Sequence, residues 1–123
     1  MFKLMLMAGA GGFVGTCCRF LINRLFAQFR EIPFPLATFI INILGCLAFG
    51  ILSGWIQKTG ILTPKLNALL IVGFCGGFTT FSTFSYETLS LGMNGEVFVS
   101  FIYIALSVII GLFATWLGFT ITT

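Results

Sequence analysis

Charged side chains are scarce in this sequence. Only 7% of its 123 residues are Asp, Glu, Lys or Arg, whereas a soluble domain carries about 25%. There is no histidine and no aspartate, and the only acids are Glu31, Glu87 and Glu96. These absences argue against His-based acid–base catalysis, zinc–histidine sites and paired-carboxylate chemistry. We therefore expect a protein that is not an enzyme and that holds no organic cofactor.

The cations and the cysteines offer no basic patch and no redox motif. The six Lys and Arg residues are scattered along the chain, so nucleic acid is not expected as a partner. The four cysteines all lie within apolar segments and form no CxxC pair. We interpret them as small packing residues rather than as disulfide partners.

Hydrophobic residues make up 59% of the chain, and they fall into four long runs. A membrane-spanning helix needs about 20 residues, so the length suits four spans in one domain covering residues 1–123. The start of the chain looks like a signal peptide, but its apolar run continues to Phe26 and is expected to remain as a span. The prediction is an all-α, multi-pass protein in lipid, with spans at about 2–26, 36–56, 66–91 and 97–121.

The third run contains the most unusual stretch, GFCGGFTTFSTFS at Gly73–Ser85. Thirteen positions hold three glycines, four phenylalanines and six Ser, Thr or Cys residues. Each glycine costs about 1 kcal/mol relative to alanine in a helix interior, so we predict a helix break near residues 76–80. In a bilayer such a break is tolerated only where protein or a water-filled cavity covers the freed backbone groups.

The other spans carry isolated polar residues. Arg19 in the first span either snorkels to the interface or serves as a structural or vestibule cation. Asn42 in the second span must meet a partner helix, water or an ion. Tyr103 and Ser107 in the fourth span are candidates for lining water. Glycine pairs at GxxxG spacing in the first two spans favour close helix contacts, and we take them to indicate a dimer.

Together these groups predict a route for a small anion. Hydroxyl and amide donors and the electropositive edges of Phe81 and Phe84 give weak sites that an ion can enter and leave. Unwound carbonyls, by contrast, often bind Na⁺, and Gly76 and Thr79 are placed to offer them. Plainer alternatives stay open, because the phenylalanines can be packing residues, the serines can bind their own helix carbonyls, and Asn42 can join two helices.

The distribution of Lys and Arg around the spans is nearly balanced. Four spans place Lys3, Lys58 and Lys65 on one side of the membrane and Arg24 and Arg30 on the other. Orientation normally follows a clear Lys and Arg excess in the cytoplasmic loops. We therefore predict dual topology and an antiparallel homodimer.

The whole chain also resembles the Fluc (CrcB-type) fluoride channels. The similarity lies in the length, the four spans, GGFVGTCCRF at Gly11–Phe20, the Asn42 span, and GFCGGFTTFSTFS followed by Glu87. The resemblance implies a fluoride-selective channel that exports toxic fluoride across the bacterial inner membrane. It further implies an antiparallel, dual-topology homodimer with two pores.

The resemblance also implies roles for individual residues. Phe81 and Phe84 match the family's Phe box along the fluoride path, and Asn42 matches its pore asparagine. Gly76 and Thr79 match the residues whose backbone carbonyls hold a structural Na⁺ at the dimer centre. Arg19 and Glu87 match charged positions to which we assign no role. The remaining expected pore residues are Ser82, Thr83 and Ser85 after the break, and Tyr103 and Ser107 in the fourth helix.

Two other classes remain as alternatives. A small four-helix, dual-topology transporter of the multidrug type would want a membrane-embedded acid in its first span, where this chain has Arg19. A non-transporting membrane scaffold would not explain the helix break and the aligned hydroxyls that follow it.

Overall fold

The computed structural model describes residues 1–123 and is entirely helical. Four helical spans are long and apolar enough to cross a membrane. The predicted fold class, an all-α membrane protein with a broken third helix, is confirmed. The spans are α1 (Phe2–Leu25), α2 (Leu36–Thr59), the third span (Pro64–Met93) and α5 (Val97–Thr122). The third span consists of α3 (residues 64–78) and α4 (Phe81–Met93).

The loop between α2 and α3 is shorter than the sequence suggested. We expected it at residues 57–65, but α2 continues to Thr59 and α3 begins at Pro64. Gly60 ends α2 in the left-handed conformation, with φ of 70°. Thr63 then caps α3, because its hydroxyl accepts a hydrogen bond from the Leu66 amide at 3.1 Å, and Pro64 fits the first helical position. Gly60 therefore ends α2, and Thr63 and Pro64 begin α3, outside the bounds that the apolar runs predicted.

Helices α1 and α3 run parallel and touch backbone to backbone. A Cβ on Gly15 would overlap the Phe74 carbonyl, and a Cβ on Gly77 would lie 2.7 Å from the Gly12 carbonyl oxygen. A Cβ on Gly73 would lie 2.6 Å from the Ala8 carbonyl oxygen. Small residues permit this close approach, and it brings the middle of α1 against the end of α3.

Helices α2 and α5 form a second extensive pair, and they are also parallel. A Cβ on Gly50 would overlap the Thr115 carbonyl, and a Cβ on Gly118 would lie 2.5 Å from the Leu47 carbonyl oxygen. Most of the glycine faces that we took to indicate a dimer are thus used inside the chain. These glycine faces therefore do not by themselves indicate a second copy of the chain.

The third span changes conformation twice before it breaks. Residues Asn67–Cys75 are π-helical, and one α-helical turn, Gly76–Phe78, follows. The backbone is then extended at Thr79 and Thr80, with ψ of 161° and 116°. Helix α4 restarts at Phe81, and the Thr80 hydroxyl accepts a hydrogen bond from the Thr83 amide at 3.3 Å. The predicted break therefore lies at Thr79–Thr80.

The single chain buries little. Only Ile41 and Tyr103 among the large side chains are completely buried, and most large apolar side chains of α1 and α5 are exposed. Such surfaces suit lipid, which is as apolar as the side chains themselves. Only two polar residues are buried, Thr38 and Ser100, and their hydroxyls donate to the Glu87 carboxylate and the Thr88 carbonyl of α4.

Candidate functional site

Asn42 of α2 binds the broken backbone through both ends of its amide. Its Nδ2 donates to the Thr80 carbonyl at 3.1 Å, and its Oδ1 accepts the Thr80 N–H at 2.9 Å. Since the amide nitrogen carries two hydrogens, one N–H of Asn42 remains for a further acceptor. The residue therefore both joins α2 to the break and keeps a donor beside it.

The break frees two carbonyls that a continuous helix would use. In an α-helix the Gly76 carbonyl accepts from the Thr80 N–H and the Thr79 carbonyl from the Thr83 N–H. Here those amides donate instead to Asn42 Oδ1 and to the Thr80 hydroxyl. The carbonyls of Gly76 and Thr79 thus lose their helical partners. These are the same two carbonyls that the sequence predicted as cation ligands.

Arg19 of α1 binds the same region from the opposite side. Its Nε donates to the Gly77 carbonyl at 3.0 Å. That carbonyl lies in the last turn of α3, where the helix dipole places partial negative charge. Arg19 continues the face of Gly11 and Gly15 at four-residue spacing, which explains why it meets α3 at its end. Arg19 thus binds structurally within the span rather than only snorkelling.

A cavity of about 580 Å³ lies beside the break, between α2, the third span and α5. We call it the break cavity. It is lined by backbone and side chains of all three elements, and it includes exposed residues such as Phe81, which is 78% exposed. Six of the predicted site residues line it: Asn42, Gly76, Thr79, Phe81, Phe84 and Ser107.

An aromatic row leads away from the break cavity. The rings of Phe81 and Phe84 are 5.9 Å apart, and Phe84 lies 5.0 Å from Tyr103. Tyr103 is completely buried and forms an edge contact with Phe34 at 5.3 Å. Tyr103 does not line the break cavity of the single chain, and its place along a water-filled route stays a prediction.

Glu87 of α4 is held by two hydroxyl groups. The Tyr103 hydroxyl donates to its Oε1 and the Thr38 hydroxyl to its Oε2, both at 3.1 Å. Both oxygens of the carboxyl group are therefore engaged between α2, α4 and α5. Glu87 therefore joins α4 to both α2 and α5.

The predicted hydroxyl positions of α4 divide into two groups. Thr83 is half-buried, and its hydroxyl accepts from the Thr80 hydroxyl at 3.0 Å. Ser82 and Ser85 are exposed on the surface of the chain, next to Phe81. None of the three lines the break cavity of the single chain, and their place in a pore stays a prediction.

A second cavity, of about 300 Å³, lies at the other end of the aromatic row. We call it the loop cavity, because the α1–α2 loop forms much of its wall. Glu87 and Phe34 both line it. Its remaining polar lining comes from Asn23, Arg30, Tyr86 and Ser90.

Sequence reasoning missed two residues of the site. Thr80 provides the backbone that Asn42 binds and also caps α4, and Thr38 holds Glu87. The four-residue spacing of Thr38 and Asn42 placed them on one face of α2. Their partners lie 49 and 38 residues away, so no local pattern could identify them.

Comparison with known proteins identifies the family. The family model described as CrcB-like protein, Camphor Resistance (CrcB), matches residues 6–119. A protein of Flavobacterium psychrophilum named "Fluoride-specific ion channel FluC" is 40% identical over 97% of this chain and 96% of its own length. Proteins of the same name from Methylobacillus flagellatus and Pseudomonas fluorescens are 43% and 41% identical. They match over 97% and 99% of this chain and 93% and 98% of their own lengths.

The matched region contains the break, both hydrogen bonds of Asn42 and the whole aromatic row from Phe34 to Phe81. Both the family model and the relatives cover nearly the full length of the chain. The chain is therefore a multi-pass membrane protein that belongs to the CrcB family.

Proposed function

We propose that this protein is a fluoride-selective channel that exports fluoride across the bacterial inner membrane. The observation that carries the proposal is the break cavity, which combines a free amide N–H, aromatic edges and a hydroxyl without a cation among its lining residues. The relatives named as fluoride-specific ion channels support the choice of ion. A channel is passive, and an inside-negative membrane potential drives an anion outward by about 2.3 kcal/mol per 100 mV.

The chemistry of the cavity suits a small anion. Asn42 keeps one N–H free after binding Thr80, and ring edges carry partial positive charge because of the aromatic quadrupole. Arg19, which would bind an anion more strongly, is hydrogen-bonded to Gly77 and does not line the cavity. Weak donors without a fixed cation allow an ion to bind and to leave.

A second copy of the chain completes the route in this proposal. Gly76, Ser82 and Ser85 are exposed at membrane depth, yet freed carbonyls and hydroxyls are costly against lipid. An antiparallel copy would cover these groups on each of the two chains and keep them away from lipid. The nearly balanced Lys and Arg distribution agrees with chains inserted in both orientations. Two antiparallel chains would provide two equivalent pores.

The freed carbonyls fit a structural Na⁺ at the dimer centre. Gly76 and Thr79 offer neutral oxygen ligands that have lost their helical hydrogen bonds, and unwound carbonyls are typical Na⁺ ligands in membrane proteins. No cluster of His, Cys, Asp or Glu lies nearby to favour a transition metal. A bound Na⁺ would supply fixed positive charge that links the break of one chain to the break of the second chain.

Growth under fluoride tests both the ion and the direction of transport. A bacterial strain without its own fluoride exporter should grow in millimolar-scale fluoride when it expresses the wild-type chain. The same strain expressing Phe81→Ile should stay sensitive, at equal amounts of protein in the membrane. Equal sensitivity with the wild-type chain and with an empty vector would reject the export proposal.

A further inference from the structure

We propose that the loop cavity is the second mouth of the ion route and that Arg30 concentrates the anion there. This inference rests on the proposed channel function. It assigns a site and a residue that the break cavity does not involve.

The position of the loop cavity supports this role. Phe34 in its wall touches Tyr103, Tyr103 touches Phe84, and Phe84 lines the break cavity. Glu87 lies in the same wall, and its carboxylate accepts a hydrogen bond from the Tyr103 hydroxyl. A single completely buried side chain, Tyr103, therefore separates the break cavity from the loop cavity along one row of contacts.

The electrostatics of the loop cavity depend on a pair of opposite charges. Arg30 is the only Lys or Arg among its lining residues, and Glu87 is the only acid. Glu87 has both oxygens engaged by hydroxyl groups, whereas Arg30 is exposed. A cleft with low-dielectric walls focuses the field of such a charge and raises the local concentration of its counter-ion.

The loop holds Arg30 at the rim. The Phe29 amide donates to the Phe26 carbonyl at 3.0 Å, the Arg30 amide to the Ala27 carbonyl at 3.3 Å, and the Ile32 amide to the Phe29 carbonyl at 3.1 Å. Three consecutive turns thus fix the backbone on both sides of Arg30. Arg24, on the same side of the membrane, is also exposed but does not line the cavity.

A cysteine placed in the cavity can report its charge and its place on the route. Ser90 lines the cavity and is half-buried, so Ser90→Cys changes little in volume. In proteoliposomes, the thiolate is modified with a negatively or a positively charged methanethiosulfonate, which forms a mixed disulfide and releases methanesulfinate. The wild-type chain gives the background of the four native cysteines. Ala27→Cys, in the same lining, provides a second position if Ser90→Cys does not fold.

The expected result has two parts. Modification of Ser90→Cys should lower fluoride flux, because the added group fills the mouth. The ratio of anionic to cationic modification rates should fall about fourfold in the Arg30→Gln background at ~0.1 M salt. A unit charge about 6 Å away in water, screened over about 10 Å, changes each local concentration by about twofold, in opposite directions. Arg30→Lys should preserve the ratio. Arg24→Gln should change it by less than about twofold at ~0.1 M salt, where the screening length is about 10 Å.

Three outcomes would overturn the inference. Both cysteines could resist both reagents while the variants still conduct, or modification could leave fluoride flux unchanged, or the ratio could be insensitive to Arg30→Gln. Absence of fluoride flux from the wild-type chain is a different failure. It would reject the channel function itself, and with it the mouth, even if the rate ratio still depended on Arg30.

Discussion

Asn42 and Thr80 exchange two hydrogen bonds, at 2.9 Å and 3.1 Å, between the second turn of α2 and the break of the third span. Through this pair one side chain binds both the backbone N–H and the backbone carbonyl of Thr80. The same exchange releases the Gly76 carbonyl, because the Thr80 amide no longer points back to it. The cavity donors and the freed carbonyls therefore have a common structural origin.

Replacing Asn42 should destabilise the break. Asn42→Leu keeps the approximate size but leaves the Thr80 N–H and carbonyl without partners. Each unsatisfied buried group costs about 1–3 kcal/mol, so we expect the free energy of unfolding to fall by about 2–5 kcal/mol. Fluoride flux should be lost as well. Denaturation of the purified protein in detergent measures the first effect.

Asn94→Leu is the matched control for that substitution. Asn94 is exposed in the turn after α4, and surface changes of this kind stay within about ±0.5 kcal/mol. A loss of stability in Asn42→Leu no larger than in the control would remove the exchange with Thr80 from the account.

The two phenylalanines of the break cavity should be needed for flux but not for folding. Phe81 is 78% exposed in the chain, so Phe81→Ile removes little packing and takes away the electropositive ring edge. We expect fluoride flux to fall by at least about a hundredfold, since two weak sites in series control passage. Phe84→Ile should behave alike, with some loss of stability because Phe84 packs on Tyr103.

Phe98→Ile provides the comparison for these variants. Phe98 is 76% exposed, near the start of α5, and lines neither cavity. Liposome flux and size-exclusion chromatography should show wild-type behaviour for it. Normal flux in Phe81→Ile would show that the exposed ring serves lipid or subunit packing alone.

Removal of Na⁺ should weaken the assembly. If Gly76 and Thr79 of two chains hold one ion, exchanging Na⁺ for a large organic cation should dissociate the dimer or stop the flux. Stabilisation by a bound ion follows the ratio of its concentration to its dissociation constant, and reaches about 2.7 kcal/mol at a hundredfold excess. Unfolding temperature and flux measured against Na⁺ concentration, at constant ionic strength, test this. Identical curves with and without Na⁺ would contradict it.

Both termini should be found on both sides of the membrane. Fusing the C-terminus to a reporter active only in the cytoplasm, and separately to one active only in the periplasm, should give activity with each. The physical reason is the near balance of Lys and Arg across the spans. Adding two lysines to the α1–α2 loop should shift the balance toward one reporter. Activity from a single reporter with the unaltered chain would exclude dual topology.

The sequence predicted the fold better than it predicted the contacts of the site. Apolar runs located four spans, and the glycines near Gly76 indicated the break. The backbone nevertheless stays helical through Gly77, because that residue packs tightly on Gly12 and its carbonyl is bound by Arg19. The break falls at the end of the predicted range, at Thr79–Thr80, where Asn42 accepts the Thr80 N–H in place of a helical carbonyl.

Contacts between distant segments explain what the sequence did not reveal. Arg19 and Gly77 are 58 residues apart, and their meeting depends on the parallel packing of α1 on α3. The loop cavity likewise draws on α1, the following loop, α2 and α4, none of which carries a recognisable local motif there. The role of Thr38 in holding Glu87 has the same origin.

Fluoride efflux from liposomes that contain the purified wild-type chain is the decisive test of selective fluoride conduction. The fluoride released is read with a selective electrode, and chloride release from identical vesicles is the comparison. A fluoride-selective channel should release fluoride rapidly, with a compensating charge movement required, and should retain chloride. Retention of both ions by vesicles that hold folded protein, or equal release of both, would contradict it.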